Sequence, residues 1–205
     1  MARTRSAGYD EQREAILARA AELFARRGYP ATSMNQVAEA CGLSKASLYH
    51  YFDDKYALLF DICDGHVAKL KALVEDALTG TRTPQHRMRI LIASLVAEYA
   101  HAQHAHRVLT DDVRFLEADD QQRVLDRERG VVKGFADVVG ALRPDLKDAA
   151  LAKPLTMLLF GMINWMFTWM KPDGALDHNA MTPIVADLFL GGLAAVKVPA
   201  AVASD

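Results

Sequence analysis

Between residues 31 and 58 the chain reads ATSMNQVAEACGLSKASLYHYFDDKYAL, and the side chains best suited to touching a nucleic acid are crowded there. Lys45, Ala46, Ser47, Tyr49 and His50 fall within six consecutive positions, with Tyr51 next and Lys55 four further on. Lysine donates to guanine O6 and N7, serine hydrogen-bonds several base edges, and alanine meets a thymine methyl. Tyrosine and histidine suit phosphate oxygens or base edges. Such a stretch is too short to be a stable helix alone, so its use depends on what holds it.

The holding elements are legible in the spacing Ala38-x-x-x-Gly42-Leu43-Ser44-x-x-x-Leu48. Two short helices crossing steeply need a small residue at the crossing, which Ala38 supplies. Their turn favours a residue tolerant of positive φ, which Gly42 supplies. Val37, Leu43 and Leu48 close a small core under the turn. The first of the two helices starts at Ser33, because Ser33-x-x-Gln36 has capping-box spacing and Thr32 adds a hydroxyl, and it runs to about Cys41. The second starts at the N-cap Ser44 and reaches Tyr51 or Phe52. Upstream, Ile16, Ala20, Leu23 and Phe24 make one apolar stripe that ends at Gly28. Downstream, Asp53 and Asp54 suit the start of a long fourth helix.

This segment resembles the DNA-binding domain of TetR/AcrR-family transcriptional regulators. The resemblance covers about residues 10–60 without a gap and rests on Thr32 and Ser33, the Ala38/Gly42/Leu43/Ser44 turn, and SLYHYF followed by Lys55. It implies that Lys45, Ala46, Ser47 and His50 face bases while Thr32, Ser33, Tyr49, Tyr51 and Lys55 hold the DNA backbone. It also implies a homodimer on a palindromic double-stranded operator, with later helices carrying an effector site and the dimer interface.

The remaining chain is read as helical throughout, with patterns at about 85–104, 106–116, 119–142, 146–170 and 178–195 and no alternating strand run. The expected fold is therefore all-α: a three-helix helix-turn-helix domain over 1–53, a larger helical ligand-binding and dimerisation domain over 54–195, and a tail over 196–205. Residues 153–170, KPLTMLLFGMINWMFTWM, are apolar on nearly every side, so this helix must be covered all round. A symmetry mate on one face and a cavity on another would do so, and Ile184, Val185 and Leu188 of the last pattern are the expected partners at a four-helix interface. A plain hydrophobic core is the alternative.

The C-terminal stretch GMINWMFTWMKPDGAL further resembles the acyl-CoA-responsive branch of that family, in fatty-acid, phenylacetate or steroid-ring catabolism. This resemblance makes an acyl-CoA thioester the first expected effector, ahead of a free aromatic or fatty acid or a hydrophobic drug. In such a pocket Asn164 is a candidate for the thioester carbonyl, Phe160 and Trp165 for the acyl group, and Arg107 or Arg114 for CoA phosphates.

Composition excludes several other classes. Over 205 residues the formal charge is −2, with eight Lys/Arg against seven Asp/Glu in residues 1–57 and sixteen against nineteen after them, so any nucleic-acid surface is local. Cys41 and Cys63 lack ligand spacing and read as buried thiols in a reducing compartment. With no visible secretory signal and no apolar run of the ~20 residues a bilayer span needs, a cytoplasmic location is expected. His101, His104 and His106 do not share one helix face, and no metal or cofactor is expected. The acidic pairs Asp111–Asp112 and Asp119–Asp120 read as helix-start caps, and without a phosphate loop or nucleophile motif no enzyme is expected. A helical adaptor without DNA binding is the rival of another class, and it leaves KASLYHYFDDK unexplained.

Overall fold

The computed structural model describes residues 7–80, 82–170 and 176–199. Among them there is no strand, and the order is α1 (Ala7–Arg27), α2 (Met34–Ala40), α3 (Lys45–Tyr49), α4 (Lys55–Leu78), α5 (Pro84–His101), α6 (Gln103–Asp112), a one-turn 3₁₀ helix (Val113–Phe115), α7 (Ala118–Leu142), α8 (Pro144–Asp148), α9 (Ala152–Trp169) and α10 (His178–Ala195). The fold class is all-α, a helix-turn-helix domain followed by a larger helical domain. The described residues divide into two compact units, one holding residues up to Ala68 with Ala102–Leu125, the other Lys69–His101 with Asp126 onward.

The first unit is centred on Ile16, Ala20 and Phe24 of α1, Val37 of α2 and Leu48 of α3. Leu58, Leu59, Ile62, Cys63 and Val67 of α4 and Val108 and Leu109 of α6 complete its core. Packing therefore groups more than residues 1–53 with the three-helix head. Polar contacts lock the same neighbourhood: Tyr56 Oη donates to Asp120 at 2.7 Å and accepts from the Glu117 N–H at 3.0 Å, which ties the start of α7 to the start of α4.

The second unit packs Leu70 and Val74 of α4, Met88 to Val96 of α5, Phe135 and Val139 of α7, Leu159, Ile163 and Met166 of α9, and Phe189 and Leu193 of α10. Phe160 stands edge-on to Phe135 with ring centres 4.9 Å apart. Gly134 of α7 packs against α4, where a Cβ would collide with the Val74 side chain. Arg143 Nη1 donates to the Leu193 carbonyl at 2.6 Å and Nη2 to that of Val196 at 3.0 Å, so one guanidinium satisfies carbonyls left open at the end of α10.

Two expectations change. The single helix over 146–170 is two, α8 and α9, separated where Ala150 takes φ +56°. Asp111 and Asp112 lie at the end of α6 rather than at a helix start, and Asp111 pairs with Arg107 one turn back at 3.4 Å.

Candidate nucleic-acid interface

The turn between α2 and α3 follows from its residues. Gly42 adopts φ +64°, the Leu43 N–H reaches the Ala38 carbonyl at 2.9 Å and the Gly42 N–H that of Glu39 at 3.0 Å, a Schellman closure of α2. At its other end Ser33 caps α2: its Oγ accepts from the Gln36 N–H at 3.3 Å while Gln36 Oε1 accepts from the Ser33 N–H at 2.8 Å. Ser44 caps α3 by accepting from the Ser47 N–H at 3.1 Å. With both ends of the turn satisfied and Ala38 buried at the crossing, α3 is held as a short rod.

That rod has one buried and one open side. Leu48 is 0 % exposed, whereas Lys45, Ala46, Ser47, Tyr49 and His50 are all exposed. The five residues expected to address DNA from this helix thus share its open side. Lys45 Nζ lies 5.8 Å from the Tyr49 ring centre, and the Ser47 and Ser44 hydroxyls are 2.8 Å apart.

The residues expected to hold the DNA backbone are more mixed. Ser33 is exposed and Tyr51 half-buried. Thr32 is buried, its hydroxyl donating to the Gly28 carbonyl at 3.0 Å, so it braces the chain reversal after α1. Lys55 is half-buried at the start of α4; its ammonium donates to the carbonyls of Tyr29 at 2.9 Å and Pro30 at 3.4 Å and lies 4.3 Å from the Tyr29 ring centre. Tyr9, which the sequence reading did not single out, stacks on Tyr51 with ring centres 4.7 Å apart and stands edge-on to His50 at 6.4 Å.

The expected effector residues fall in different places. Arg107 and Arg114 belong to the first unit, where they line one groove of about 470 Å³ with Arg26, Thr110, Asp111 and Asp112. Burial holds the Asp112 carboxyl above the usual carboxylate range, opposed by the Tyr29 N–H and by Arg114 and Arg107. Arg26 was not anticipated, because nothing in local spacing joins residue 26 to residues 107–114. Phe160, Asn164 and Trp165 belong to the second unit. Phe160 is buried, but Asn164 is exposed and Trp165 is 68 % exposed, on the side of α9 that also carries Leu158 and Trp169. Of the expected interface residues, Ile184 and Leu188 are exposed and Val185 is buried inside its own unit.

The histidine cluster divides as well. His101 ends α5, while His106 Nδ1 lies 3.3 Å from Nε2 of the buried His66 on α4, a pairing no local spacing could announce. Burial pushes the His106 imidazole down to about 4. Among the described residues no group of three or more His, Cys, Asp or Glu is placed to hold a metal, and no helix is long and apolar enough to cross a membrane.

A capped turn carrying a short helix with one buried leucine and an open row of Lys, Ala, Ser, Tyr and His defines a helix-turn-helix DNA-binding regulator. The comparisons agree, and the chain belongs to the TetR family. The family model "Bacterial regulatory proteins, tetR family" matches residues 16–62, and "Tetracyclin repressor-like, C-terminal domain" matches residues 81–193. A TetR-family transcriptional regulator from Bordetella parapertussis 12822 superposes with a TM-score of 0.82 at 36 % identity, over 91 % of this chain and 98 % of that one. The transcriptional repressor KstR2 of Mycobacterium tuberculosis H37Rv is 27 % identical over 90 % of this chain and 94 % of its own. The crystal structure of AibR with isovaleryl coenzyme A and operator DNA shares the fold, with a TM-score of 0.73 at 23 % identity over 86 % of this chain and 97 % of that one.

Proposed function

We propose that this chain is a cytoplasmic transcriptional repressor that binds a palindromic operator as a homodimer and is released by a small hydrophobic effector, an acyl-CoA thioester first. The observation that carries the DNA half is the open row Lys45, Ala46, Ser47, Tyr49 and His50 above the fully buried Leu48. A functional division at residues 53/54 goes with this reading: a DNA-reading head, a regulatory body to residue 195, and a tail. The dimer is supported by an exposed apolar stripe on α9 and α10, with Leu158 at 66 %, Trp165 at 68 % and Leu188 at 63 % exposure. We assign Asn164 and Trp165 to that interface beside Ile184 and Leu188, with Val185 as its inner support.

For the effector, the apolar second unit with Phe160 against Phe135 suits an acyl or aromatic group. Separately, in the first unit, the groove lined by Arg107 and Arg114 carries charge that suits a phosphate. AibR, the structural neighbour solved with isovaleryl coenzyme A and operator DNA, makes the thioester the natural first probe. A ligand that favours a body geometry unable to hold the operator must, by linkage, bind less well to the operator-bound protein, and a coupling of about 1–3 kcal/mol is enough for regulation.

The test is a gel shift on the DNA upstream of the protein's own gene, with and without a panel of acyl-CoAs, their free acids and free CoA. A retarded band released by a thioester at micromolar concentration, and by neither half alone, is the expected result. Release by the free acid moves the effector to the acids; a complex that a thioester tightens makes the protein an activator or co-repressed regulator. No shift on any inverted repeat removes the DNA-binding assignment.

A further inference from the structure

We infer that Tyr9, at the start of α1, is a positioning residue for base recognition, fixing His50 through an aromatic cluster of Tyr9, Tyr51 and His50. The inference rests on the proposed DNA-reading role of His50 and adds to it a residue from a different element.

His50 is the C-cap of a five-residue helix, held by its N–H to the Ser47 carbonyl at 3.2 Å, and its imidazole is exposed. An exposed imidazole on a helix end samples several rotamers, and a contact that must first select one loses affinity and discrimination. Here the rotamers are walled in. The Tyr51 ring stands edge-on to the imidazole at 5.9 Å and 81°, and Tyr9 stands edge-on to the same imidazole at 6.4 Å and 85°. Tyr9 in turn lies nearly parallel to Tyr51, 4.7 Å away and tilted 25°, so the two phenol rings brace each other. Edge-to-face and offset-stacked rings are the favoured aromatic geometries, each worth a few-fold in an equilibrium beyond the area it buries. Both tyrosines are half-buried while His50 is open, which is the arrangement of a wall behind a reading side chain rather than of a packed core.

The assignment separates two kinds of loss. Removing a wall from a base-reading side chain lowers preference at one base pair and leaves the phosphate term, hence the salt slope, unchanged. Removing a phosphate contact or a packing residue lowers affinity for all sequences alike.

The experiment measures the affinity of the full-length protein for its operator and for a panel of single-base-pair variants, with a salt titration on nonspecific DNA. The proteins compared are wild type, Tyr9→Phe, Tyr9→Leu, His50→Ala and the Tyr9→Leu/His50→Ala double variant. Tyr9→Phe keeps the ring and should match wild type. Tyr9→Leu should lose roughly three- to tenfold of the preference at the base pair that His50→Ala flattens, the equivalent of one aromatic contact. The double variant should match His50→Ala alone, because a wall has no effect once the side chain it orients is gone. Tyr9→Met, which keeps apolar volume without a flat face, serves where the leucine variant loses helical content or melting temperature.

Full preference retained in Tyr9→Leu while His50→Ala loses it overturns the inference and leaves the DNA reading of His50 standing. A uniform loss on all sequences, or losses that add in the double variant, also overturns it. No change of preference in His50→Ala removes the base-reading role of His50 and the positioning role with it.

Discussion

Lys55 is where the sequence and the structure give one side chain two roles. The resemblance casts it as a phosphate holder, whereas its ammonium donates to the carbonyls of Tyr29 and Pro30 and lies over the Tyr29 ring. An ammonium has three donors, and two carbonyls leave capacity for a phosphate oxygen, so the roles are compatible. Lys55→Ala is therefore expected to weaken binding to all DNA and to flatten the salt slope by about one unit. It should also lower the unfolding free energy, by about 1 kcal/mol for the lost charge-assisted hydrogen bonds at a half-exposed site. Lys45→Ala, on the open side of α3, should spare stability and relax base preference at one position by about 1–3 kcal/mol. Binding isotherms at several salt concentrations and a urea melt distinguish these outcomes, and unchanged DNA binding in both variants would remove α3 as the recognition helix. At this scale the caps were readable, since Ser33 and Ser44 bond within three residues of themselves. Thr32 was not, because a hydroxyl beside a helix start serves a phosphate or the carbonyl four residues back equally well in sequence, and here it takes Gly28.

At the scale of elements, two helix ends show what can be read from a chain. The end of α2 is closed by Leu43 N–H to Ala38 O and Gly42 N–H to Glu39 O, with glycine in the left-handed position, and that glycine marked the turn in advance. The end of α8 is closed in the same way, by Leu151 N–H to Leu146 O at 2.8 Å and Ala150 N–H to Lys147 O at 2.9 Å. Its left-handed residue is alanine, at φ +56°, so the sequence carried no break and the stretch from 146 to 170 read as one helix. An alanine there bears a steric cost of about 1–2 kcal/mol that glycine lacks, partly offset by the greater freedom glycine has when unfolded. Ala150→Gly is thus expected to stabilise the protein by about 0.5–1 kcal/mol, raising the melting temperature by about 1–4 °C for a chain of this size. Calorimetry of the variant beside wild type checks it. A lower melting temperature would mean that the α8 end does not hold this left-handed turn in solution. His106, on α6, is a third case. The imidazole it meets, His66, lies forty residues earlier, on α4, where no local pattern points to it.

For the whole molecule, hydropathy announced that α9 needs cover on every side but not which side each residue takes. The inner side holds Leu159, Phe160, Ile163 and Met166, and the open side holds Met157, Leu158, Asn164, Trp165 and Trp169, with Ile184 and Leu188 open on α10. Asn164 looked like a pocket residue because it is the one amide in an apolar run. Its place on the open side is set by helical phase, in line with the exposed Met157 and Gly161 before it and Thr168 after it, which no hydropathy count resolves. Two exposed tryptophans and a 63 % exposed leucine are more apolar surface than an isolated soluble domain keeps without use. A twofold partner that covers them must bury about 800 Å² on each side to be stable. Leu188→Arg introduces a charge that twofold symmetry repeats, so the dimer would bury two unpaired guanidiniums at several kcal/mol each. Dimer dissociation should rise at least a hundredfold, measured by sedimentation across a concentration series. Operator affinity should fall with it, because two half-sites about one helical turn, ~34 Å, apart reward only linked heads. Binding to a single half-site should be left nearly unchanged, which separates loss of the dimer from loss of the head. Trp165→Glu, on the other helix of the stripe, should reproduce the result, and equal helical content and melting profiles show that neither variant has unfolded. A protein that remains dimeric at wild-type concentrations with both substitutions in place has its interface elsewhere. The exposed stripe would then belong to another partner, and Asn164 and Trp165 would return as candidates for contact with the effector.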